Sequence, residues 1–464
     1  MRSEVNSKID SLKEDIIKST QELVKIRSVE EKGQEGKPFG EGVSDALEKA
    51  LEIGRNLGLK TGNVDGYAGF IEIGCGKEMV GILCHLDVVP EGSGWTYPPY
   101  GAEIHNNKIY GRGTLDNKGP AVAALYAMKA VNDLGFDLNK RVRLILGTDE
   151  ESGWEGLKYY LEKEEIPDSA FSPDAEYPVI LGEKGILNIK IKSLFNNENN
   201  SGLVSIKGGN APNMVPDYCE AVFDIVVNHD EIVSKLNEFK ERTGFKLEVE
   251  KSGESLIIKS YGKSAHGSLP EDGHNAISQL MVFLSDMIST DDALGKFIKF
   301  YKERIGMEYY GESIGCHLRD DVSGPLTFNV GMVNINQNSG EIIVNIRYPV
   351  TLSRDKVLNG IKQIIDQTEF RLEEMEHMEP LYVPKNDPLV QKLMKVYREF
   401  TGDDRDPITI GGGTYARAVE KAVAFGPIFP GQPELAHQKD EYIDIDDLIK
   451  NAKIYANAII ELAT

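Results

Sequence analysis

An apolar segment leads directly into two adjacent carboxylates in the stretch Arg141-Val-Arg-Leu-Ile-Leu-Gly-Thr-Asp-Glu-Glu151. The apolar part, 141–147, has the length and composition of a buried strand, and a helical pattern follows over 155–164. Strands that alternate with helices are typical of a parallel sheet, whose ligands gather at the carboxyl ends of the strands. The stretch therefore predicts an α/β fold with a site beside Glu150 and Glu151.

Further nitrogen and oxygen donors stand near the ends of other predicted elements. They follow a predicted strand, precede a helix or lie in a late loop rich in Gly and Pro: His85, Asp87, Asp116, Asp174 and His437. The side chains of His85 and Asp87 leave the same face of a strand, because they are two residues apart. Imidazole and carboxylate groups collected in this way favour a hydrolytic metal centre. In such a centre, two adjacent carboxylates can divide metal binding and proton transfer between them.

Each of these residues has an ordinary explanation when it is taken alone. A His-x-Asp pair at a strand end is more often a polar strand terminus, and an aspartate before a helix is more often an N-cap. An isolated Glu-Glu pair is most often solvated, and an aspartate after proline is often a turn residue. The ordered set is more specific than its members, because each residue lies at the end of an element.

The order of the elements predicts a discontinuous domain with an insertion. Helices alternate with apolar strands over 1–186, and the same pattern resumes over 384–464. Residues 187–383 carry runs of strands with fewer helices, which is typical of an α+β domain. We therefore expect a catalytic α/β domain, with a mostly parallel sheet flanked by helices, and an inserted α+β lid.

Two local predictions concern the beginning of the chain. Apolar residues at helical spacing predict one amphipathic helix over 4–26, and its charged character indicates that it is not a signal peptide. The β-rich runs 67–74 and 79–86 are separated by Gly-Lys-Glu and are expected to pair as a hairpin.

Composition argues against several classes of partner. The 464 residues include 52 basic and 74 acidic side chains, a net charge of −22 that repels phosphate backbones and anionic membranes. We expect no nucleic-acid or membrane partner, and no apolar run approaches the roughly 20 residues of a membrane-spanning helix. The four cysteines lack CxxC spacing, which predicts reduced thiols in the cytoplasm.

In combination, the motifs resemble those of the M20-type metallopeptidases, and among them the bacterial PepV-like dipeptidases. The resemblance extends over essentially the whole length, including the lid. The matching stretches are Gly81–Pro90, Gly111–Gly119, Gly147–Gly153, Ser172–Asp174, Ser264–Gly267 and Gly411–Arg417.

The resemblance implies two divalent metal ions that share Asp116 as a bridging ligand. One ion would be held by His85 and Asp174, and the other by Glu151 and His437. Zinc is the usual ion of the family, and manganese or cobalt can replace it. Imidazole and carboxylate ligands suit all three ions and do not distinguish between them.

The resemblance also implies catalytic and substrate-binding roles. Glu150 would be the general base toward a water that bridges the ions, Asp87 would orient His85, and His266 would stabilise the oxyanion. The implied substrate-binding residues are Asn213, Arg347, Gly412, Gly413 and Thr414. The guanidinium of Arg347 suits the free carboxylate of a dipeptide, because it can bind a carboxylate through two hydrogen bonds.

The activity implied by these motifs is hydrolysis of unblocked dipeptides by a cytoplasmic enzyme. Longer peptides should fit poorly if both ends of the substrate are fixed. We expect a monomer, because a long lid can supply within one chain what a partner would otherwise provide. Two alternatives stay open: an M20-type amidohydrolase, such as an N-acyl amino acid deacylase or a carboxypeptidase, and a non-catalytic metal-binding scaffold.

Overall fold

The structure is a computed structural model that describes residues 2–195, 201–224, 229–288 and 291–464. Three stretches of the predicted lid, 196–200, 225–228 and 289–290, lie outside the described residues. The chain groups into two compact units, of which the first comprises Met1–Gly182, Leu381–Ile408 and Gly413–Thr464. The second comprises Glu183–Pro380 and Thr409–Gly412. The domain boundaries at 186/187 and 383/384 stay a prediction, and Gly412 groups with the second unit.

The helices, in chain order, are α1 (Arg2–Ser11), α2 (Lys13–Val24), α3 (Glu41–Asn56), α4 (Lys118–Asp133), α5 (Glu155–Lys163), α6 (His229–Thr243), α7 (Ala276–Met287), α8 (Ala293–Arg304), α9 (Arg354–Ile365), α10 (Pro388–Thr401) and α11 (Ile445–Ala463). No helix among the described residues combines the length and the apolar character needed to cross a membrane.

The strands, in chain order, are β1 (Lys60–Val64), β2 (Ala68–Gly74), β3 (Met79–His85), β4 (Glu103–His105), β5 (Lys108–Tyr110), β6 (Arg141–Gly147), β7 (Ser169–Ser172), β8 (Ala175–Glu176), β9 (Ile180–Glu183), β10 (Gly185–Leu194), β11 (Leu203–Gly208), β12 (Tyr218–Asp224), β13 (Lys246–Ser252), β14 (Ser255–Tyr261), β15 (Arg319–Asp320), β16 (Gly324–Pro325), β17 (Thr327–Asn336), β18 (Ser339–Tyr348), β19 (Arg371–Met378), β20 (Leu381–Tyr382), β21 (Ile408–Ile410), β22 (Ala422–Ala424), β23 (Pro427–Ile428) and β24 (Tyr442–Asp444).

Parallel strands form the middle of the large sheet in the first unit. Its order is β1-β2-β6-β3-β7-β22-β9-β20, and the pairs β6/β3, β3/β7 and β7/β22 are parallel. The middle strand β3 is buried along its whole length, with Ile82 in the apolar core that contains α4 and α11, and Leu83 in the core that contains α5. Burial on both faces explains why this strand is apolar at successive positions. Three of the predicted donors, His85, Glu151 and Asp174, lie at or shortly after the carboxyl ends of β3, β6 and β7.

Two local predictions were wrong. Strands β2 and β3 do not form a hairpin, because β6 lies between them and pairs with β2 antiparallel and with β3 parallel. The apolar pattern identified both strands but carried no information about which neighbour each strand would choose. The helix predicted over 4–26 is divided into α1 and α2 by Leu12, whose backbone does not have helical geometry.

The second unit contains an antiparallel sheet in which each half has one helical crossover, although the inner strand β14 follows its crossover in the chain and β10 precedes the other. The strand order is β13-β14-β12-β11-β17-β18-β10-β19. In one half α6 connects β12 to β13 across β14, and in the other α9 connects β18 to β19 across β10. Helices α6, α7, α8 and α9 contribute to the apolar core of this unit. The predicted fold class, α/β with an inserted α+β unit, is confirmed.

Candidate metal centre

Five predicted ligand residues meet at the carboxyl ends of the parallel strands. His85 is the last residue of β3, whereas Asp116 precedes α4 and Asp174 follows β7. The described residues contain two groups with metal-binding geometry, His85–Asp116–Asp174 and Asp116–Glu151–His437. In each group one ligand atom from every residue lies within 4.8 Å of the others. Asp116 belongs to both groups, and the bridging role that the resemblance implies for it stays a prediction.

Asp116 presents a different carboxylate oxygen to each histidine. Its Oδ1 lies 2.9 Å from Nε2 of His85, and its Oδ2 lies 3.2 Å from Nε2 of His437. On one side Asp174 Oδ1 lies 3.6 Å from His85 Nε2, and on the other Glu151 Oε2 lies 3.0 Å from His437 Nε2. Both imidazoles therefore point the same nitrogen toward a shared carboxylate, which is the arrangement needed to hold two cations side by side.

Asp87 orients the first histidine and connects it to the Glu150–Glu151 segment. Nδ1 of His85 lies 3.0 Å from the backbone oxygen of Asp87 and 3.5 Å from its Oδ1. A carbonyl oxygen only accepts, so Nδ1 of His85 donates and leaves the Nε2 lone pair for a metal. The other Asp87 oxygen, Oδ2, accepts the backbone N–H of Glu151 at 3.0 Å. Asp87 belongs to neither group, and its backbone oxygen rather than its carboxylate makes the hydrogen bond to His85, so the orienting role of its side chain stays a prediction.

The turn after β6 is folded by Asp149, a residue that the sequence analysis missed. Its buried carboxylate accepts the backbone N–H groups of Gly153 and Glu155, each at 2.8 Å, at the beginning of α5. These bonds to backbone groups four and six residues later hold the loop between β6 and α5 in place. The signal was present in the Asp-Glu-Glu-Ser-Gly spacing, but the two glutamates beside Asp149 were the more conspicuous residues.

Asn117 is a second missed residue. Its side chain is fully buried, and its Nδ2 donates to Pro173 O at 2.7 Å and to Asp174 Oδ1 at 2.9 Å. These bonds connect the Asp116 loop to the end of β7 and hold Asp174 beside His85. The side chain directly after a candidate bridging ligand could have suggested this role, but the sequence contains no sign of its partner.

Burial strongly shifts the pKa values of the carboxylates of the centre. Burial raises the pKa of Glu150 well above its usual value, and the neighbouring carboxylates, led by Asp174, raise it further against the opposing effect of His85. Burial likewise raises the pKa of Glu151, and raises that of Asp174 to about 6. Burial opposes ionisation of Asp116 as well, but hydrogen bonds from His437 and His85 hold its pKa below the usual value.

The pKa values of both histidines are also raised, which in their case favours the charged form. Hydrogen bonds to Asp116 and Glu151 raise the pKa of His437 to about 11. Burial disfavours the charged form of His85, but the surrounding carboxylates, led by Asp174, raise its pKa well above the usual value. The histidines thus partly offset a buried excess of negative charge. Two divalent cations fit this donor set, because they would replace the two protons and neutralise the excess carboxylate charge.

The predicted oxyanion and substrate residues of the second unit have well-defined local contacts. Nδ1 of His266 lies 2.6 Å from Ser268 Oγ and accepts the Ser268 N–H at 3.3 Å; a hydroxyl can also donate, so both contacts fit a neutral imidazole with its proton on Nε2. The N–H of Gly267 donates to Asn213 O at 2.7 Å, which places Asn213 and His266 on neighbouring segments. Arg347 is buried, and its Nη1 donates to Gly411 O at 2.8 Å.

The remaining predicted residues lie in the Gly411–Thr414 segment. Gly412 is in the second unit, and Gly413 and Thr414 are in the first. Thr414 caps the short 3₁₀ turn Tyr415–Ala418, because its hydroxyl accepts the Ala416 N–H at 3.1 Å. A Cβ at Gly413 would lie 2.7 Å from Nε of Arg417, a flexible side chain that would have to move aside.

Comparisons with known proteins give a consistent result. The family model for peptidase family M20/M25/M40 matches residues 81–461. Over 459 residues the chain is 44% identical to a Bacillus subtilis (strain 168) protein named "Putative dipeptidase YtjP", with 97% of this chain and 98% of that protein covered.

Two solved structures are similar in fold. Human carnosine dipeptidase 1 has a TM-score of 0.60 at 17% identity, with 99% of this chain and 98% of that chain covered. Bacillus subtilis YXEP, described as a dinuclear metal-binding peptidase of the M20 family, has a TM-score of 0.50 at 10% identity, with 98% and 99% covered. At these identities the likeness concerns the fold.

Proposed function

This chain belongs to peptidase family M20/M25/M40 and is a peptide-bond hydrolase, and from that premise we propose that it is a two-metal dipeptidase acting on unblocked dipeptides. One observation carries the proposal: Asp116 presents one oxygen to each of two histidines. Glu150 belongs to neither ligand group but interacts electrostatically with His85, Asp174, Glu151 and Asp116. The relative from Bacillus subtilis, whose name assigns it a dipeptidase activity, supports the substrate class.

We assign the chemistry as follows. His85, Asp174, Glu151 and His437 would hold the two ions, with Asp116 between them. Two divalent ions bound there supply Lewis acidity, which polarises the scissile carbonyl and makes an attacking water more acidic. Glu150 accepts a proton from that water at a carboxylate oxygen and later returns the proton to the leaving amine. Asp87 keeps Nε2 of His85 available by holding the other ring nitrogen.

The second unit supplies the recognition of the substrate in this proposal. His266 donates through Nε2–H to the oxygen that becomes negative in the transition state, for which the acceptor role of its Nδ1 is the required tautomer. Arg347 binds the substrate carboxylate, with Asn213 and the Gly412–Thr414 segment as further contacts. The orientation of Arg347 is fixed by its Nε, which donates to Asn345 Oδ1 at 2.9 Å.

The first test is a panel of substrates. Unblocked dipeptides of the Ala-Ala type should be hydrolysed in the presence of added metal, and tripeptides, N-acetyl amino acids and dipeptide amides should be hydrolysed at least about tenfold less efficiently, since a lost charged contact costs about 1.5–3 kcal/mol. The measurement is kcat/KM for each compound with and without metal. Equal turnover of N-acetyl amino acids would favour the amidohydrolase alternative and exclude the proposed specificity.

A second test addresses the oxyanion. His266→Ala should lower kcat about 10²- to 10³-fold, with a smaller change in KM, because the lost donor acts mainly in the transition state. His317→Ala is the matched control, since His317 is an exposed histidine of the same unit. A His266→Ala enzyme with the kcat of the wild type would remove this residue from the mechanism.

We also propose that zinc is the physiological ion, that the enzyme is a monomer and that it is located in the cytoplasm. Nitrogen and oxygen ligands suit zinc as well as manganese and cobalt. The four cysteines are free, which fits a reducing compartment. A net charge of −22 supports a small peptide, rather than a nucleic acid or an anionic membrane, as the partner.

A further inference from the structure

We propose that Glu441 is a positioning residue of the metal centre, which sets metal affinity by fastening the loop of Asp116 to the loop of His437. The inference deepens the proposed two-metal function and rests on it. Glu441 itself is in neither ligand group. Its role would be exerted through the backbone of its neighbours and through Arg112.

The carboxylate of Glu441 is surrounded by hydrogen-bond donors from the Asp116 loop. Oε1 accepts the backbone N–H groups of Gly113, Leu115 and Asp116 at 3.0, 2.8 and 3.2 Å. Oε2 accepts from Nη1 of Arg112 at 2.7 Å and from the Gly113 N–H at 3.1 Å. One side chain therefore holds the backbone of the bridging ligand and of the residues just before it.

The backbone continues this connection between the two loops. Strand β5 ends one residue before Gly111 and pairs with β24, which begins directly after Glu441. The N–H of Gly111 donates to Glu441 O at 2.9 Å, and Nη1 of Arg112 also reaches Gln438 O at 3.3 Å. Gln438 follows His437 directly. Asp116 and His437 are thus parts of one connected backbone structure, although their residue numbers differ by 321.

Because this network is buried, each of its donors and acceptors needs a hydrogen-bond partner within the protein. Glu441 is 0% exposed and Arg112 is 2% exposed. A glutamine at position 441 would have to direct its NH₂ group either at the backbone N–H groups or at the guanidinium, and both sides offer only donors. The substitution should therefore move the loop rather than leave it in place. Outer partners of metal ligands typically change metal affinity by about 10- to 100-fold when they are removed.

The chain offers a matched control at Glu72 in β2. This glutamate is 6% exposed, and its Oε2 accepts from Nε of a buried arginine, Arg143, at 2.8 Å, while its Oε1 accepts from Lys60 Nζ at 2.6 Å. Both glutamates are thus buried and bound to arginine, but Glu72 contacts no residue of the metal centre in these bonds. Glu72→Gln tests the cost of losing a buried ion pair alone.

The experiment measures zinc affinity of the full-length chain by competition with a chromophoric chelator, and the thermal unfolding of each metal-free variant. We expect Glu441→Gln to bind zinc about 10- to 100-fold more weakly than the wild type, and Glu72→Gln to change the affinity less than about threefold even if both variants lose similar thermal stability. If Glu441→Gln does not fold, Glu441→Asp takes its place, because the shorter side chain cannot reach both sets of donors.

The outcomes separate this inference from the proposed function. Wild-type protein that binds no zinc, manganese or cobalt would refute the two-metal function itself. Wild-type protein that binds two ions, together with an unchanged affinity in the Glu441 variant, would refute only the positioning role. Equal losses of affinity in the Glu441 and Glu72 variants would also refute it, since general destabilisation would then explain both.

Discussion

A Glu150→Gln enzyme is expected to lose about 10²- to 10⁴-fold in kcat while it binds two metal ions as tightly as the wild type. Glutamine keeps the shape of the side chain but cannot accept a proton from the attacking water. Metal binding should survive, because the ligand groups contain Glu151 and not Glu150. The two adjacent glutamates would then have different roles, one as a base and one as a ligand.

The environment of Glu150 supports this assignment. Its pKa is raised well above the usual value by burial and by neighbouring carboxylates, led by Asp174. A carboxylate of ordinary pKa is a weak base at neutral pH, and a raised pKa brings it closer to the optimum for proton transfer. Bound cations would lower this pKa again, so the burial of Glu150 keeps it basic in the presence of positive charge.

Glu155→Gln is the matched control for Glu150→Gln. Glu155 is an exposed glutamate at the first position of α5, and it should be replaceable with little change in kcat. The measurements are kcat on an unblocked dipeptide and the metal content of the purified protein. A Glu150→Gln enzyme with nearly full activity would exclude Glu150 as the general base. A variant that had lost a metal ion would identify Glu150 as a ligand.

The sequence carried most of the information about the candidate centre because most of its candidate ligands stand at the ends of helices or strands. Six residues without a polar side chain, Met79–Cys84, precede His85 in β3, and the largely buried strand β6 ends three residues before Glu150. Polar residues at or just after the end of such a strand lie at the sheet edge. His437 is different, since it follows no such strand. Its placement depended on the resemblance, and its contact with Glu151 spans 286 residues of sequence.

The residues that the sequence did not identify act through backbone contacts. Asp149, Asn117 and Glu441 bind N–H or C=O groups of loops, and such contacts leave no periodic pattern. The hairpin predicted for β2 and β3 was wrong for a related reason, because local alternation does not specify which strands become neighbours. The position of β6 between β2 and β3 depends on contacts between residues far apart in the sequence, which the local pattern of each strand does not specify.

Removal of the metal ions is expected to abolish turnover, and Asp116→Asn should do nearly the same at ordinary metal concentrations. Asp116 is the one residue that belongs to both ligand groups of the described chain, so its loss should weaken both ions. Asp174→Asn is the informative comparison, because Asp174 belongs to one group. We expect it to retain one tightly bound ion and lose the other.

The measurement is metal stoichiometry by elemental analysis after dialysis, together with thermal unfolding at increasing zinc concentration. An ion that binds the folded chain stabilises it by about 2.7 kcal/mol at a hundred times its Kd. Zinc should therefore raise the Tm of the wild type most, that of Asp174→Asn less, and that of Asp116→Asn least. If Asp116→Asn kept two ions, the shared carboxylate would not be the bridge, and if chelation left turnover intact, the reaction would not depend on metal at all.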